Sequence, residues 1–343
     1  MKITIIGGAG GMGKWFAGFF KANGAEVRIV DKSEQTEAVA RQIGVEFLKT
    51  DILGDEKEEK KEEGEKEVAA TEVLLVSVPI DLTSRVIERV GPRMPAGSLL
   101  MDLTSVKKAP VAAMERFASS GVEILGTHPL FGPSAKSLQG QTVILVPSTS
   151  RSGSSGLVGL KGLRGSRGLR GSRGLRGSRG LGGLRGSKSE KIAELFKSNG
   201  ARIEVLTAAE HDEIMAVVQG LTHFILIAFG VALKDLDFEV ARARRFMNPQ
   251  FKIITDFVGR LLHQDPHLYA TIQTNFEMGG IHEAFLTTAS RLHELVLEGR
   301  VGELVKEMQE AKRHFGNAET ERAFADSERV LEQKLKEGGK RKK

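Results

Sequence analysis

With 343 residues the chain has the length of two domains and ample material for a core. It contains no cysteine, which excludes disulfides, thiolate zinc sites and a cysteine nucleophile, and which suits a reducing compartment such as the cytoplasm. The net charge of +6 is local: residues 151–189 hold eight Arg, two Lys and no acid, and the rest of the chain stands at −4. The basic balance is therefore no evidence that the whole protein binds nucleic acid.

The first third alternates strand-like and helix-like segments. KITIIG (2–7) reads as a strand, KWFAGFFKANG (14–24) as an amphipathic helix with a glycine stop, and EVRIVD (26–31) as a second strand. The apolar start runs straight into a glycine loop, so no signal peptide is expected. Trp15, the single tryptophan, reads as core. DEKEEKKEEGEKE (55–67) is a mixed charge run of the kind that forms a solvated helix or loop.

EVLLVSVP (72–79) is a near-continuous apolar run, as a parallel strand covered on both faces shows. SLLMDLTS (98–105), VEILGTHP (122–129) and QTVILVP (141–147) read as further strands. This order predicts an α/β Rossmann-type doubly wound sheet. From about 148 to 189 a Gly/Ser/Arg-rich block interrupts it, with GLRGSR three times in tandem from Gly162 to Arg179. Such a composition cannot build a core and predicts a flexible insertion. SEKIAELFKSNGARIEVLT (189–207) then adds one more helix and strand to the same sheet.

From about Ala208 the pattern is all helical. HDEIMAVVQGLTHFILIAFGVALKD (211–235) is apolar on most faces, as a helix buried between partners would be. Its longest apolar stretch, 224–233, is too short to span a bilayer, and no membrane partner is expected. Helices follow over 249–264, 266–276, 282–299 and 301–316, and the basic tail 336–343 reads as disordered. The expected division is a Rossmann domain over 1–207 and a helical substrate and dimerisation domain over 208–335.

GGAGGMG (7–13) places G-x-G-x-x-G at Gly8, Gly10 and Gly13, between the first strand and its helix. Gly8 allows the tight turn, Gly10 the approach of a pyrophosphate, and Gly13 close helix–strand packing. The phosphates would lie at the helix N-terminus. Asp31 ends the second strand, where an acid bonds the ribose hydroxyls and repels a 2′-phosphate, so NAD is the expected cofactor. Lys32 and Ser33 beside it could soften that preference.

A nicotinamide enzyme needs a group for the proton that leaves with the hydride. No metal is expected, and the candidates are His, Lys, Asp and Glu. His128, in GTHPLFGPS, follows a strand at the sheet edge where ligands bind, and Pro129 stiffens the chain after it. Ser105 ends another strand there and could orient the imidazole or a substrate oxygen.

DLTSVKKAP (102–110), LGTHPLFGPSAKSLQGQ (125–141), AAEHDEIMAVVQGLTHF (208–224) and VGRLLHQDPHLYATI (258–272) occur in this order, and HFGNAETERAFADSERVL (314–331) near the end. In these segments the chain resembles the prephenate dehydrogenases, most closely the dehydrogenase part of the bifunctional chorismate mutase–prephenate dehydrogenases. The likeness covers nearly everything except 55–67 and 148–189, and the mutase domain is expected to be absent. It implies NAD-dependent oxidative decarboxylation of prephenate to 4-hydroxyphenylpyruvate on the route to tyrosine, in a homodimer whose active cleft lies between the two domains. It implies that His128 accepts the ring hydroxyl proton, with Ser105 beside it. It also implies that Arg260 grips a substrate carboxylate and that His223 faces the cleft. His211 and its acidic neighbour read more blandly, as a dimer contact or a cap on the long helix.

Two alternatives remain open at this stage. An arogenate or dual-specificity cyclohexadienyl dehydrogenase differs only in a substrate amine for a ketone. A nucleotide-binding protein with an arginine-rich polyanion-binding segment is the non-enzyme reading. The repeats carry no aromatic residue to stack on bases, which weakens it.

Overall fold

The computed structural model describes residues 1–54, 64, 66–148 and 187–340, the side chains of 336–340 excepted. Most of the charge run 55–67, the interior of the Gly/Ser/Arg block and residues 341–343 lie outside the described residues. The chain forms two compact units, Met1–Met215 and Ala216–Lys343. The first thus takes in the opening turns of the long helix that the sequence places wholly in the second domain.

The first unit is built on one eight-stranded sheet: β1 (Lys2–Ile6), β2 (Glu26–Asp31), β3 (Glu46–Lys49), β4 (Val73–Val76), β5 (Leu99–Asp102), β6 (Glu123–Pro129), β7 (Thr142–Pro147) and β8 (Arg202–Val205). Its order is β3-β2-β1-β4-β5-β6-β7-β8. The six strands from β3 to β6 are parallel, with Ile5 registered against Ile29 and Leu75. Val73, Leu75, Leu99 and Leu125 share a core with Phe16, Phe20 and Phe196, while Leu74 and Leu100, alternating with them, are equally buried. Burial on both faces is why these strands read as unbroken apolar runs.

The doubly wound pattern is broken once. β7 runs antiparallel to β6, with no helix between them, and β8 returns parallel to β7 after a helix over Lys188–Ser198. The arginine-rich block therefore falls within one crossover connection and does not separate two domains.

The second unit is helical, with helices at Thr222–Asp235, Pro249–Leu262, Pro266–Asn275, Gly279–Leu297, Val301–Phe315 and Asn317–Lys340. Asn248 and Asp265 cap two of them, each followed by a proline at the first helical position. There a missing N–H costs nothing and a side-chain oxygen satisfies a free donor. The last helix runs to Lys340, through residues that the composition of the tail marks as disordered.

The helix over Ala208–Asp235 is long and apolar enough to cross a membrane by length and composition, which the 224–233 stretch alone is not. It passes through a π-helical segment at Ala216–Leu221. Its portion from Thr222 onward contains no fully buried residue, although its sequence reads as a buried helix.

Candidate active site

The glycine loop joins β1 to a helix over Gly11–Ala22. The positive φ of the turn lies at Gly7 (80°), not at Gly8. A Cβ on Gly8 would come within 2.4 Å of Ile29, and one on Gly13 within 2.2 Å of the Gly7 carbonyl oxygen, so both glycines let helix and strand close on each other. Gly10 differs, since a Cβ there would meet only the Gly7 oxygen, at 3.3 Å. Its freedom from protein neighbours leaves space for a phosphate. No side chain caps this helix and no acid occupies its first turn, so its N–H groups and dipole are available to an anion.

Asp31 closes the loop from β2. Its carboxylate accepts hydrogen bonds from the backbone N–H groups of Ala9 and Ser33, both at 3.0 Å. Lys32, largely exposed, lies 3.4 Å from Asp51. Gly8, Gly10, Gly13 and Asp31 thus stand together around the loop between β1 and its helix, as residues that could hold a dinucleotide.

At the carboxyl end of the sheet, His128 lies inside β6, not beyond it, and is almost fully buried. Its Nδ1 is 2.8 Å from Nε2 of His211, whose own Nδ1 is 2.7 Å from Asp212 Oδ1. Both carboxylate oxygens of Asp212 also accept backbone N–H bonds, from Lys107 at 2.7 Å and Lys108 at 2.9 Å. Asp212 therefore caps the helix over Lys108–Phe117 from outside it. Beneath the histidines the ammonium of Lys107 pairs with Asp102, both fully buried, and reaches Thr104 Oγ1 at 3.0 Å. Gly126 makes room for that stem, because a Cβ there would lie 3.1 Å from Lys107 Cδ.

These surroundings set the protonation states. Burial, reinforced by His211 and Lys107, holds His128 well below the usual histidine value. His211 is lowered by burial, against which its hydrogen bond to Asp212 works. Burial raises Asp212, but the bonds from His211 and the two amides outweigh it and leave the carboxyl below its ordinary range. Burial also lowers Lys107, opposed by Asp102.

Ser105 is half-buried, three residues past the end of β5, and its hydroxyl makes no hydrogen bond among the described residues. The group that holds His128 is His211, not Ser105. In the second unit the ring of His223 meets that of Tyr269, centroids 4.8 Å apart, and its Nδ1 is buried without a partner. Burial raises the Tyr269 hydroxyl pKa, against the nearby charge of Arg260. His223 and Arg260 are thus gathered around Tyr269, the chain's single tyrosine, which the sequence does not single out. Lys107, Asp102 and Asp212 are likewise invisible as site residues before folding. The E-H-D triplet is the one signal, and it is equally the signature of a cap.

Two family models match the chain. The nucleotide-binding domain of prephenate dehydrogenase matches residues 16–157, and its dimerization domain matches residues 207–310. A Methanocaldococcus jannaschii protein named a probable arogenate/prephenate dehydrogenase is 34% identical over 96% of this chain and 65% of its own length. The T-protein of Haemophilus influenzae is 30% identical over 79% of this chain and 55% of its own. The chain thus spans less than two thirds of the length of these curated relatives. A crystal structure of prephenate dehydrogenase from A. aeolicus, in complex with hydroxyphenyl propionate and NAD+, superimposes with a TM-score of 0.64 at 19% identity, covering 92% of this chain and 96% of that one. At that identity the likeness shows the fold. The two domain models, in the order of the two compact units and together taking in most of the residues, show that the chain belongs to the prephenate dehydrogenase family.

Proposed function

We propose that the chain is an NAD-dependent dehydrogenase that oxidatively decarboxylates prephenate to 4-hydroxyphenylpyruvate. The observation that carries this is His128: a buried histidine kept neutral, at the carboxyl end of a Rossmann sheet, with no partner for Nε2 among the described residues. The glycine loop and Asp31 would hold NAD, which would supply the acceptor for hydride from the ring carbon bearing the hydroxyl. His128 Nε2 accepts the hydroxyl proton as the C–O bond becomes a carbonyl. Loss of carbon dioxide then leaves its bonding pair in the ring, which becomes aromatic and supplies the driving force, and the phenolate oxygen so formed takes the proton back from His128. Arg260 presents the planar fork that suits the substrate's carboxylate. His223 and Ser105 contribute polar groups to substrate binding.

The second reading is action on arogenate, which the printed name of the Methanocaldococcus relative favours equally. NADH formation with each substrate, for wild type and His128→Asn, separates the two. Turnover of prephenate by wild type, with a loss of about 10²-fold or more in the variant, is the expected result for a general base. Turnover of arogenate alone would change the substrate and keep the chemistry, and turnover of neither would overturn the reading.

The active form is a homodimer built through the second unit. Supporting this, the matching model is a dimerization domain, and Phe246, Phe257, Leu262, Leu286, Leu297 and Phe315 are all exposed in the single chain. A monomer that turns over at micromolar concentration, by light scattering, would contradict it.

A further inference from the structure

We propose that His211, anchored by Asp212, fixes the tautomer of His128 so that Nε2 is the unprotonated nitrogen, and that His211 receives the charge created when His128 takes a proton. The inference rests on the reading of His128 as the base.

The chain of reasoning starts at Asp212. Its two oxygens accept three hydrogen bonds, from Lys107 N, Lys108 N and His211 Nδ1. An ionised carboxylate can only accept, so the hydrogen between it and His211 belongs to His211 Nδ1. Neutral His211 then has a lone pair at Nε2. That lone pair is 2.8 Å from His128 Nδ1, which must carry the hydrogen of this contact. His128 is left with its lone pair on Nε2. Neutral histidine in water favours the opposite arrangement, with hydrogen on Nε2, which could not accept a proton there. The rings meet edge-on, centroids 5.0 Å apart and planes at 61°, so this contact is a hydrogen bond and not stacking.

The same contacts give the proton a destination. As the substrate O–H bond breaks, an N–H bond forms at His128 Nε2. The Nδ1 hydrogen of His128 can then cross to His211 Nε2. His128 is again neutral, and the positive charge sits on His211 against the Asp212 carboxylate. Lys107 repels the charge at either ring, but Asp212 and Asp102 offset that repulsion at His211 and not at His128. The charged groups around the two rings are Lys107 and Asp102 below and Asp212 beside them. Among the charged groups of the described residues only Asp212 hydrogen-bonds either ring, so His211 is the better home for the charge. The logic is that of the Asp–His pair in serine hydrolases, extended by one imidazole.

The test reads the tautomer directly in the full chain without substrate. Long-range ¹H–¹⁵N correlation at neutral pH, with the His128 signals assigned by their loss in His128→Asn, should show His128 neutral and protonated on Nδ1. His211→Leu should move the hydrogen to Nε2. His211→Gln should keep it on Nδ1, because the amide oxygen takes the place of the Nε2 lone pair. In turnover, His211→Leu should lower kcat by about 10²-fold or more, the effect of a wrong tautomer, with KM for NAD unchanged. His211→Gln should recover part of it. Hydrogen on Nε2 in wild type, or on Nδ1 in a folded His211→Leu, would overturn the proposal. If the leucine variant does not fold, the wild-type tautomer still decides. A wild type that is silent on every substrate but has the expected tautomer would sink the enzymatic reading and the relay, and leave the tautomer assignment standing. Full turnover with the wrong tautomer would do the reverse.

Discussion

Asp31 accepts a hydrogen bond from the backbone N–H of Ala9 at 3.0 Å, so the acid that ends β2 also holds the glycine loop in shape. In the proposed function two roles would fall on this carboxylate, ordering the loop and receiving the ribose hydroxyls. Asp31→Ser removes the charge and leaves a small hydroxyl. NAD affinity should fall about tenfold to a hundredfold, the range of one or two charge-assisted hydrogen bonds. Affinity for NADP should rise, because the repulsion of a 2′-phosphate is gone. Calorimetric titration with both nucleotides checks this, and unchanged preference would remove Asp31 from the cofactor site.

Gly10 and Gly13 should separate binding from folding. At Gly13 a methyl group would collide with the backbone of Gly7, so Gly13→Ala should lower stability by about 1–3 kcal/mol. At Gly10 a methyl meets only one oxygen at 3.3 Å, so Gly10→Ala should keep close to the wild-type Tm while losing NAD affinity. Thermal unfolding with and without NAD distinguishes them. Equal losses of Tm would mean that Gly10 is structural.

The buried Lys107–Asp102 pair should be costly to break from one side. Among the described residues Asp102 Oδ1 has no hydrogen-bond partner, while Oδ2 accepts from the Thr104 N–H and hydroxyl and from the Lys107 ammonium, which supplies the opposing charge. Lys107→Met leaves a buried charge unpaired and should destabilise by about 3–5 kcal/mol. Lys107→Met with Asp102→Leu should recover much of the loss. Urea unfolding of the three proteins measures it, and a single variant as stable as wild type would show that the pair contributes little.

Stability should fall as the solution turns mildly acidic. His128 and His211 are both held below 6.5 in the fold and return to about that value when unfolded. Between the folded and unfolded values the unfolded chain binds more protons, so stability is lost as pH drops below about 6.5, by up to about 1.4 kcal/mol per pH unit for each histidine. Asp212 acts in a lower window: its stabilisation is present above 3.8 and is lost only as pH falls through its depressed folded value. Urea unfolding near pH 7.5 and pH 5.5 should show the loss, and His128→Asn should reduce it. A pH-independent midpoint over that interval would mean that the histidines are not buried neutral.

The strands were legible before folding because burial on both faces leaves a local trace. EVRIVD becomes a strand with the bounds read from it, and VLLV and LLM are apolar without a break. The glycine loop was legible for a related reason, since its steric demands fall on consecutive residues. Two features were not. Nothing in QTVILVP says that β7 runs antiparallel, because direction depends on a connection, not on a strand's own residues. Nor does FILIAFGVAL say which neighbours leave its helix uncovered, although an apolar helix reads as buried.

What the sequence by itself determined is the family, the sheet, the glycine loop with Asp31, and His128 as the residue to question. The tertiary structure decided what holds that histidine. Ser105, 23 positions away, looked like its partner; His211, 83 positions away, is the partner. The physical reason is that a hydrogen bond over 2.8 Å between buried rings depends on where a sheet edge and a helix meet. Residue type can propose such a bond, but only packing brings the two nitrogens together.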